Sequence, residues 1–307
     1  MDSGPTFDEA SLRTEGSNAV RSALHTIAAY PPDLGDPIFT HYPAMKFGHR
    51  RSVRRFAERM APVAAQWIAQ SRYRDWVLTS PPLKGLPCGA NLLCRAIHAI
   101  LAAKLPDGVN LSLENLGEHV PHAPLGSAIE FERYNEYSKL DLETRQEIQS
   151  EDEDESQYDL DRFRDRCVIF VNDINVTGTQ LDWIGNLLRP PLARKLHCLL
   201  ILDVEPRVGR RFAHLESEIN NSRYSRCDEL ISFLRDCEFD CTGKLIARLI
   251  SYDAAELEHV LRALEPAKRT LIRRAILDEG LYGGALFAEK MRAVDRAAKQ
   301  EWKLEPE

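Results

Sequence analysis

Cys167-Val-Ile-Phe-Val-Asn-Asp-Ile-Asn-Val-Thr-Gly-Thr-Gln180 is the stretch on which the reading of the chain turns. It opens with an apolar run, Cys167 to Val171, flanked by polar residues. That is the pattern of a central strand buried on both faces of a parallel sheet. The run ends at Asn172 and Asp173, and Gly178 and Thr179 then open an amphipathic segment with Leu181, Ile184, Leu187 and Leu188. Strand, short polar loop and helix start form the geometry that turns backbone N–H groups toward a phosphate. A carboxylate at the strand's end, Asp173, suits the hydroxyls of a sugar joined to that phosphate. The same residues also fit an ordinary strand-turn-helix with a polar turn.

Outward from this stretch, further strands are expected at 76–80, 109–113 and 197–204, with helix stripes between them. Right-handed crossovers would set these strands in a doubly wound, mainly parallel α/β sheet, with ligands at the strands' carboxyl ends. Residues 81–89, PPLKGLPCG, are too rich in Pro and Gly for either element and form a loop between strand and helix. Tyr42-Pro-Ala-Met-Lys-Phe-Gly48 reads as a turn-rich lead-in to a helix over about 50–70. Before it, 19–30 reads as a short helix halted by Pro31 and Pro32. Three parts follow: residues 1–35 as a tail with that short helix, 36–205 as the α/β domain, and 206–307 as a helical C-terminal cap. Residues 117–160 form a long polar insertion with an expected helix at about 139–149.

A chain of 307 residues, 44% hydrophobic, buries a substantial core. It has no apolar run near the length of a membrane span, and its polar N-terminus does not read as a signal peptide. Seven cysteines, two of them inside strand-like apolar runs, point to reduced thiols and a cytoplasmic protein. The spacing of Cys227, Cys237 and Cys241 matches no compact zinc pair. Of the formal charge of −7, the run Glu151–Glu155 supplies five. A basic stretch, Lys46 to Arg59, reads first as a solvated helix face. No recognition motif accompanies it, so nucleic acid is not an expected partner.

The frame of four apolar residues, Asn172-Asp173, spacers and Thr177-Gly178 resembles the phosphoribosyl-pyrophosphate (PRPP) loop of type I phosphoribosyltransferases. Its wording is similar to that of phosphoribosyltransferase-like proteins from bacterial tellurite- and stress-response gene neighbourhoods. The resemblance implies transfer of the 5-phosphoribosyl group from PRPP to an acceptor, a nitrogenous base, with release of pyrophosphate. It implies that Asp173 and Asn172 hold the ribose hydroxyls. Asn175, Val176, Thr177, Gly178, Thr179 and Gln180 would cradle the 5′-phosphate. Leu83-Lys84-Gly85 looks like the pyrophosphate loop of purine salvage enzymes, giving Lys84 a charge and Gly85 a close backbone approach to that group. Mg²⁺ would be held mainly through substrate oxygens and water. Lys46 and Gly48 join as further site candidates, because related stress-associated proteins carry similar Tyr-x-x-x-Lys-x-Gly segments. The cap would shape the acceptor site or a contact between copies of the chain.

Three departures accompany the resemblance. Asn172 stands where the family carries its first acid, Val176 precedes Thr177, and Gln180 replaces a final Thr. Valine removes a proton-handling route at that position. Asn172 supplies an amide without charge, so on electrostatics alone Asn172→Asp should raise turnover. A binding protein of the same fold, without catalysis, is the alternative.

Overall fold

The apolar run at Cys167 lies at the heart of a five-stranded sheet in the computed structural model, which describes residues 19–83, 85–117, 124–135, 143–144 and 158–299. The strands are β1 (Ala19–Ile27), β2 (Asp75–Thr79), β3 (Asn110–Leu113), β4 (Cys167–Asn175) and β5 (Lys195–Val204). All pairings are parallel, and the order is β1-β5-β4-β2-β3. Every residue of β4 is buried, as a strand covered on both faces requires.

The first helices in chain order are α1 (Ile38–Lys46), α2 (Arg50–Gln70), α3 (Gly89–Ala102), α4 (Ala128–Asn135) and α5 (Thr179–Leu187). Then come α6 (Pro206–Arg211), α7 (Leu215–Asn221), α8 (Cys227–Asp236), α9 (Gly243–Ser251), α10 (Ala254–Arg262), α11 (Pro266–Glu279) and α12 (Ala288–Lys299). On one face of the sheet, α1, α2 and α3 pack with Ile169 and Val171. On the other, Ile184 and Leu187 of α5 meet Val77, Val168 and Phe170. The chain is thus an α/β protein with helices on both faces of a parallel sheet.

The strand order reverses between β2 and β4. From β2 the chain moves outward to β3, then returns to the other side of β2 through β4 and β5. Such a reversal splays the loops that leave the two strands and opens a crevice at their carboxyl ends. The loops in question are 80–88 and 176–178.

Three sequence expectations change. The helix expected over 19–30 is the edge strand β1, matched to β5 in parallel register from Ala19↔Leu196 to Ile27↔Val204. A helix this short is marginal in water. The open edge of β5 offers it a complete ladder of partners instead, each bond worth roughly 0.5–1.5 kcal/mol net. The sheet therefore begins ahead of residue 36, while residues 1–18 lie outside the described residues. Second, the strand expected to end at Val171 continues to Asn175. Third, Tyr42 and Lys46 belong to the last turns of α1, not to a lead-in turn.

The C-terminal helices form a second apolar core, with Leu230, Leu245, Ile272 and Phe287 among its buried members. α1 serves both cores: Phe39, Tyr42 and Met45 face the sheet, whereas Ala44 and the adjoining Phe47 enter the cap. Backbone bonds lock the junction, with Asp240 N–H donating to Gly48 O at 3.0 Å and Arg50 N–H to Glu238 O at 3.1 Å. Gly48 has φ +83°, and a Cβ there would lie 1.9 Å from Asp240 O. Only glycine permits that approach, so Gly48 serves the docking of the cap. Within the insertion, Leu125 N–H donates to Leu281 O at 2.9 Å and Phe131 of α4 packs edge-on to Phe287. Most of the expected 139–149 helix and the acidic run at 151–155 lie outside the described residues.

Candidate functional site

β4 delivers Asn172 and Asp173 to opposite sides of the sheet, because successive strand residues alternate faces. Asp173 meets α1: its Oδ2 accepts from Lys46 Nζ at 2.5 Å, and its Oδ1 accepts from Ile174 N–H at 2.8 Å. Asn172 meets α5: its Nδ2 donates to Gln180 Oε1 at 2.7 Å and to Ile174 O at 3.0 Å. A carbonyl can only accept, so the group facing Ile174 O must be the NH₂ of the amide. Asn172 thereby braces the loop internally. The structure does not bring the two neighbours to one ligand position.

The loop itself is short because β4 is long. Asn175 is the last strand residue, and its Nδ2 donates to Asp203 Oδ1 on β5 at 2.7 Å. Arg21 of β1 closes on the same carboxylate at 3.3 Å. Burial pushes the Asp203 carboxyl up, against the pull of Asn175 and Arg21. Asn175 is a strut between strands here, and the turn proper runs from Val176 to Gly178. Val176 is buried, and its carbonyl lies 1.7 Å from where a Cβ on Gly209 would stand, so α6 seats directly on the turn. Gly178, at φ +89°, is the N-cap of α5 in the left-handed region that glycine tolerates. Gly178 has no side chain to cap the helix, and among the described residues Thr177 Oγ1 reaches the first N–H group, that of Thr179, at 3.5 Å. Thr177 Oγ1 and Thr179 Oγ1 share a hydrogen bond at 2.8 Å, holding both hydroxyls at the mouth of the turn. The first N–H groups of a helix have no partner within it, and their dipoles favour an anion.

The loop after β2 is built otherwise. Asn91 of α3 accepts from Cys88 N–H at 2.7 Å and donates to Ser80 Oγ and Pro81 O at 3.0 and 2.8 Å. At the loop's crest, Gly85 has φ +82°, and a Cβ there would stand 2.8 Å from Glu279 Oε2. That oxygen accepts from Leu86 N–H at 2.7 Å. Glu279, the last residue of α11, is 2% exposed, so the cap places a buried carboxylate against the loop. Lys84 lies outside the described residues.

Sequence reasoning did not find the second carboxylate at Lys46. Glu216 of α7 accepts from Lys46 Nζ at 3.2 Å, so the ammonium lies between two carboxylates. Burial alone would lower the Lys46 ammonium, but the charges around it prevail and hold it well above the ordinary lysine range. Tyr42, one turn before Lys46 on α1, is fully buried beside this group. Burial, then the charge of Asp173, raises its phenol well above the usual range. At the start of α3, burial and then the Asp173 charge push the Cys88 thiol up as well, so it is no thiolate nucleophile at neutral pH. The Tyr-x-x-x-Lys spacing was legible as a segment, but it was read as a turn, so the shared helix face of Tyr42 and Lys46 was not. Glu216 stands far along the chain on a short helix with no motif around it.

Comparison with protein-family profiles, with curated proteins and with solved structures returns no match.

Proposed function

We propose that the chain binds PRPP across the carboxyl ends of β2 and β4 and transfers its phosphoribosyl group to an acceptor, releasing pyrophosphate. The observation that carries this reading is the start of α5 behind an αL Gly178, three residues beyond the strand that delivers Asp173, with the Thr177 hydroxyl turned onto its first N–H group. A 5′-phosphate on that helix start would take backbone N–H groups and the Thr177 and Thr179 hydroxyls. Asp173 would then reach the sugar. The reaction asks for little covalent help, because the bond at C1′ loosens toward an oxocarbenium-like centre. Positioning and charge stabilisation supply most of the rate.

Magnesium belongs to this chemistry as a counter-charge for pyrophosphate. Asp173 and Glu216 both face Lys46, so they offer it no open pair of carboxylates. The ion would arrive on the pyrophosphate oxygens, with water completing its shell.

A second reading, binding without catalysis, is favoured by one observation: Asn172 is turned into the loop and supplies no charge to the sugar. Two measurements separate the readings. PRPP with Mg²⁺ should raise the melting temperature, as any ligand selective for the native state must. Pyrophosphate release with a panel of purine and pyrimidine bases then reports transfer. Binding without release on any base favours the second reading, and no shift with millimolar PRPP or ribose 5-phosphate removes both.

A further inference from the structure

Ser52, on the first turn of α2, joins two imidazoles: His49 Nδ1 lies 2.8 Å and His41 Nδ1 3.3 Å from its Oγ. A hydroxyl has two lone pairs, so it can accept from both rings when both are protonated, which leaves each Nε2–H for another acceptor. Neither Nε2 has a partner among the described residues. Ser52 is wholly buried and both rings are partly exposed, so the hydroxyl orients the pair and the rings meet solvent. Phe233 of the cap stands edge-on to His49.

Cations gather round these rings. Burial lowers the His41 imidazole, and the charges of Arg55, His49, Arg51 and Arg223 lower it further. Burial and then Arg51 lower His49. Arg51 and Arg55 stand four apart on the exposed side of α2, and so share a face. Arg223, between α7 and α8, donates to Thr40 Oγ1 at 3.2 Å, beside His41. Among the described residues, no carboxylate pairs with any of these side chains. Their neighbours on α2 differ: Asp240 and Glu238 answer Arg50, and Glu58 answers Arg54. The first turn of α2 also has no acid, so cations stand where the helix dipole favours an anion.

We propose that His41, His49, Arg51, Arg55 and Arg223 form a site for the phosphoryl group of a small phosphomonoester, apart from the Asp173 cluster. Guanidiniums and imidazoliums give a phosphoryl dianion the charge-assisted bonds that suit it. A nucleic-acid strand would need its cations spread along a track; here they converge on two rings. The site does not depend on the PRPP reading, since no hydrogen bond or ion pair joins it to Asp173 or Thr177 among the described residues.

Long-range ¹H–¹⁵N NMR of the histidine rings in the full chain tests the site, with inorganic phosphate as the probe. His41→Gln and His49→Gln assign the two signals. Binding favours the protonated rings, so phosphate should raise both ring pKa values, by about one unit for an anion held tenfold tighter by the charged form. Sodium chloride at the same ionic strength should give a much smaller shift. Arg55→Gln and Arg223→Gln, both at exposed positions, should each weaken the phosphate response about tenfold, the size of one charge-assisted hydrogen bond. Arg59→Gln, one turn beyond Arg55, should leave it unchanged. Rings that answer chloride as they answer phosphate would overturn the site. So would Arg55 and Arg223 variants that respond like wild type, the result expected of phosphate held only in the crevice at Thr177. A loss in Arg59→Gln as large as that in Arg55→Gln would make the face a track for a polyanion and overturn the focal site as well.

Discussion

The loop after β4 and the loop after β2 leave neighbouring strand ends, and each runs into a helix. The first ends in Gly178, and the helix start behind it meets one long side-chain bond, Thr177 Oγ1 to Thr179 N–H at 3.5 Å. The second has its helix start bonded by Asn91 and its crest held against the Glu279 carboxylate. One helix start has a single long bond from a neighbouring hydroxyl; the other has its loop answered by an amide and a carboxylate from within. A Gly-rich or Pro-rich loop at a strand's end is therefore not by itself an anion site. What decides is whether the protein has already supplied the anion.

The largest expected effect comes from Asp173→Ala, which strands the buried Lys46 with Glu216 alone. Removing one partner of a buried pair costs about 3–5 kcal/mol. Adding Lys46→Met to the same chain should recover much of that loss, and urea unfolding of both variants measures it. If Asp173→Ala alone is as stable as wild type, the cluster holds no energy and the first loop loses its distinction.

Acid sensitivity has to be separated from both loops, because His197 contributes its own. Buried between Trp67 and Trp76, its imidazole is pushed down to about 4, first by burial and then by Lys195. The unfolded chain takes up a proton below about 6.5 and the folded chain only below about 4. The neutral ring's contribution is thus fully present above 6.5 and is lost as the pH falls to 4, by about 3 kcal/mol. His197→Phe should flatten that part of the stability profile in urea melts from pH 7 to 4.

Glu279→Ala probes the second loop. It leaves the Leu86 N–H without its acceptor, at a cost of about 1–3 kcal/mol. Glu279→Gln keeps an acceptor oxygen while removing the charge, so it should retain most of the stability and bind pyrophosphate more tightly than wild type. Unchanged pyrophosphate affinity by titration would make the loop after β2 a structural tie alone.

Asn172→Asp is the smallest and the most discriminating. A carboxylate would face Ile174 O and Gln180 Oε1, both acceptors. Gln180 can turn its own NH₂ inward, so one bond is remade and about 1 kcal/mol is lost at Ile174. PRPP affinity should fall with the ordering of the turn, opposite to the gain in turnover expected from charge alone. A faster and equally stable variant would restore the electrostatic argument.

The strand-loop-helix from Cys167 to Leu188 was legible because burial, loop and helix periodicity agree over twenty residues. The cap helices were legible for the same reason. The point at which β4 ends was not. The unbroken apolar run stops at Val171, but backbone pairing with β5 carries the strand through Asn172, Asp173 and Ile174 to Asn175. Four more strand residues decide which face each side chain takes, and so separate Asn172 from Asp173. β1 was missed because an edge strand is specified by its neighbour as much as by its own residues. Glu216 and Glu279 sit on helices whose patterns describe packing alone, and nothing local says which carboxylate the fold will bury.

The pairing of β1 with β5 has a consequence for the chain as it is made. Ala19 cannot take its place until Leu196 has been synthesised. At ordinary translation speeds the first strand waits on the order of ten to forty seconds for its neighbour. During that interval it is an unclaimed segment that another nascent copy could capture. Closing so long a loop also makes this contact a late and slow one. Domain-swapped or aggregated by-products should therefore exchange β1, and a permuted chain that carries β1 directly after β5 should give fewer of them.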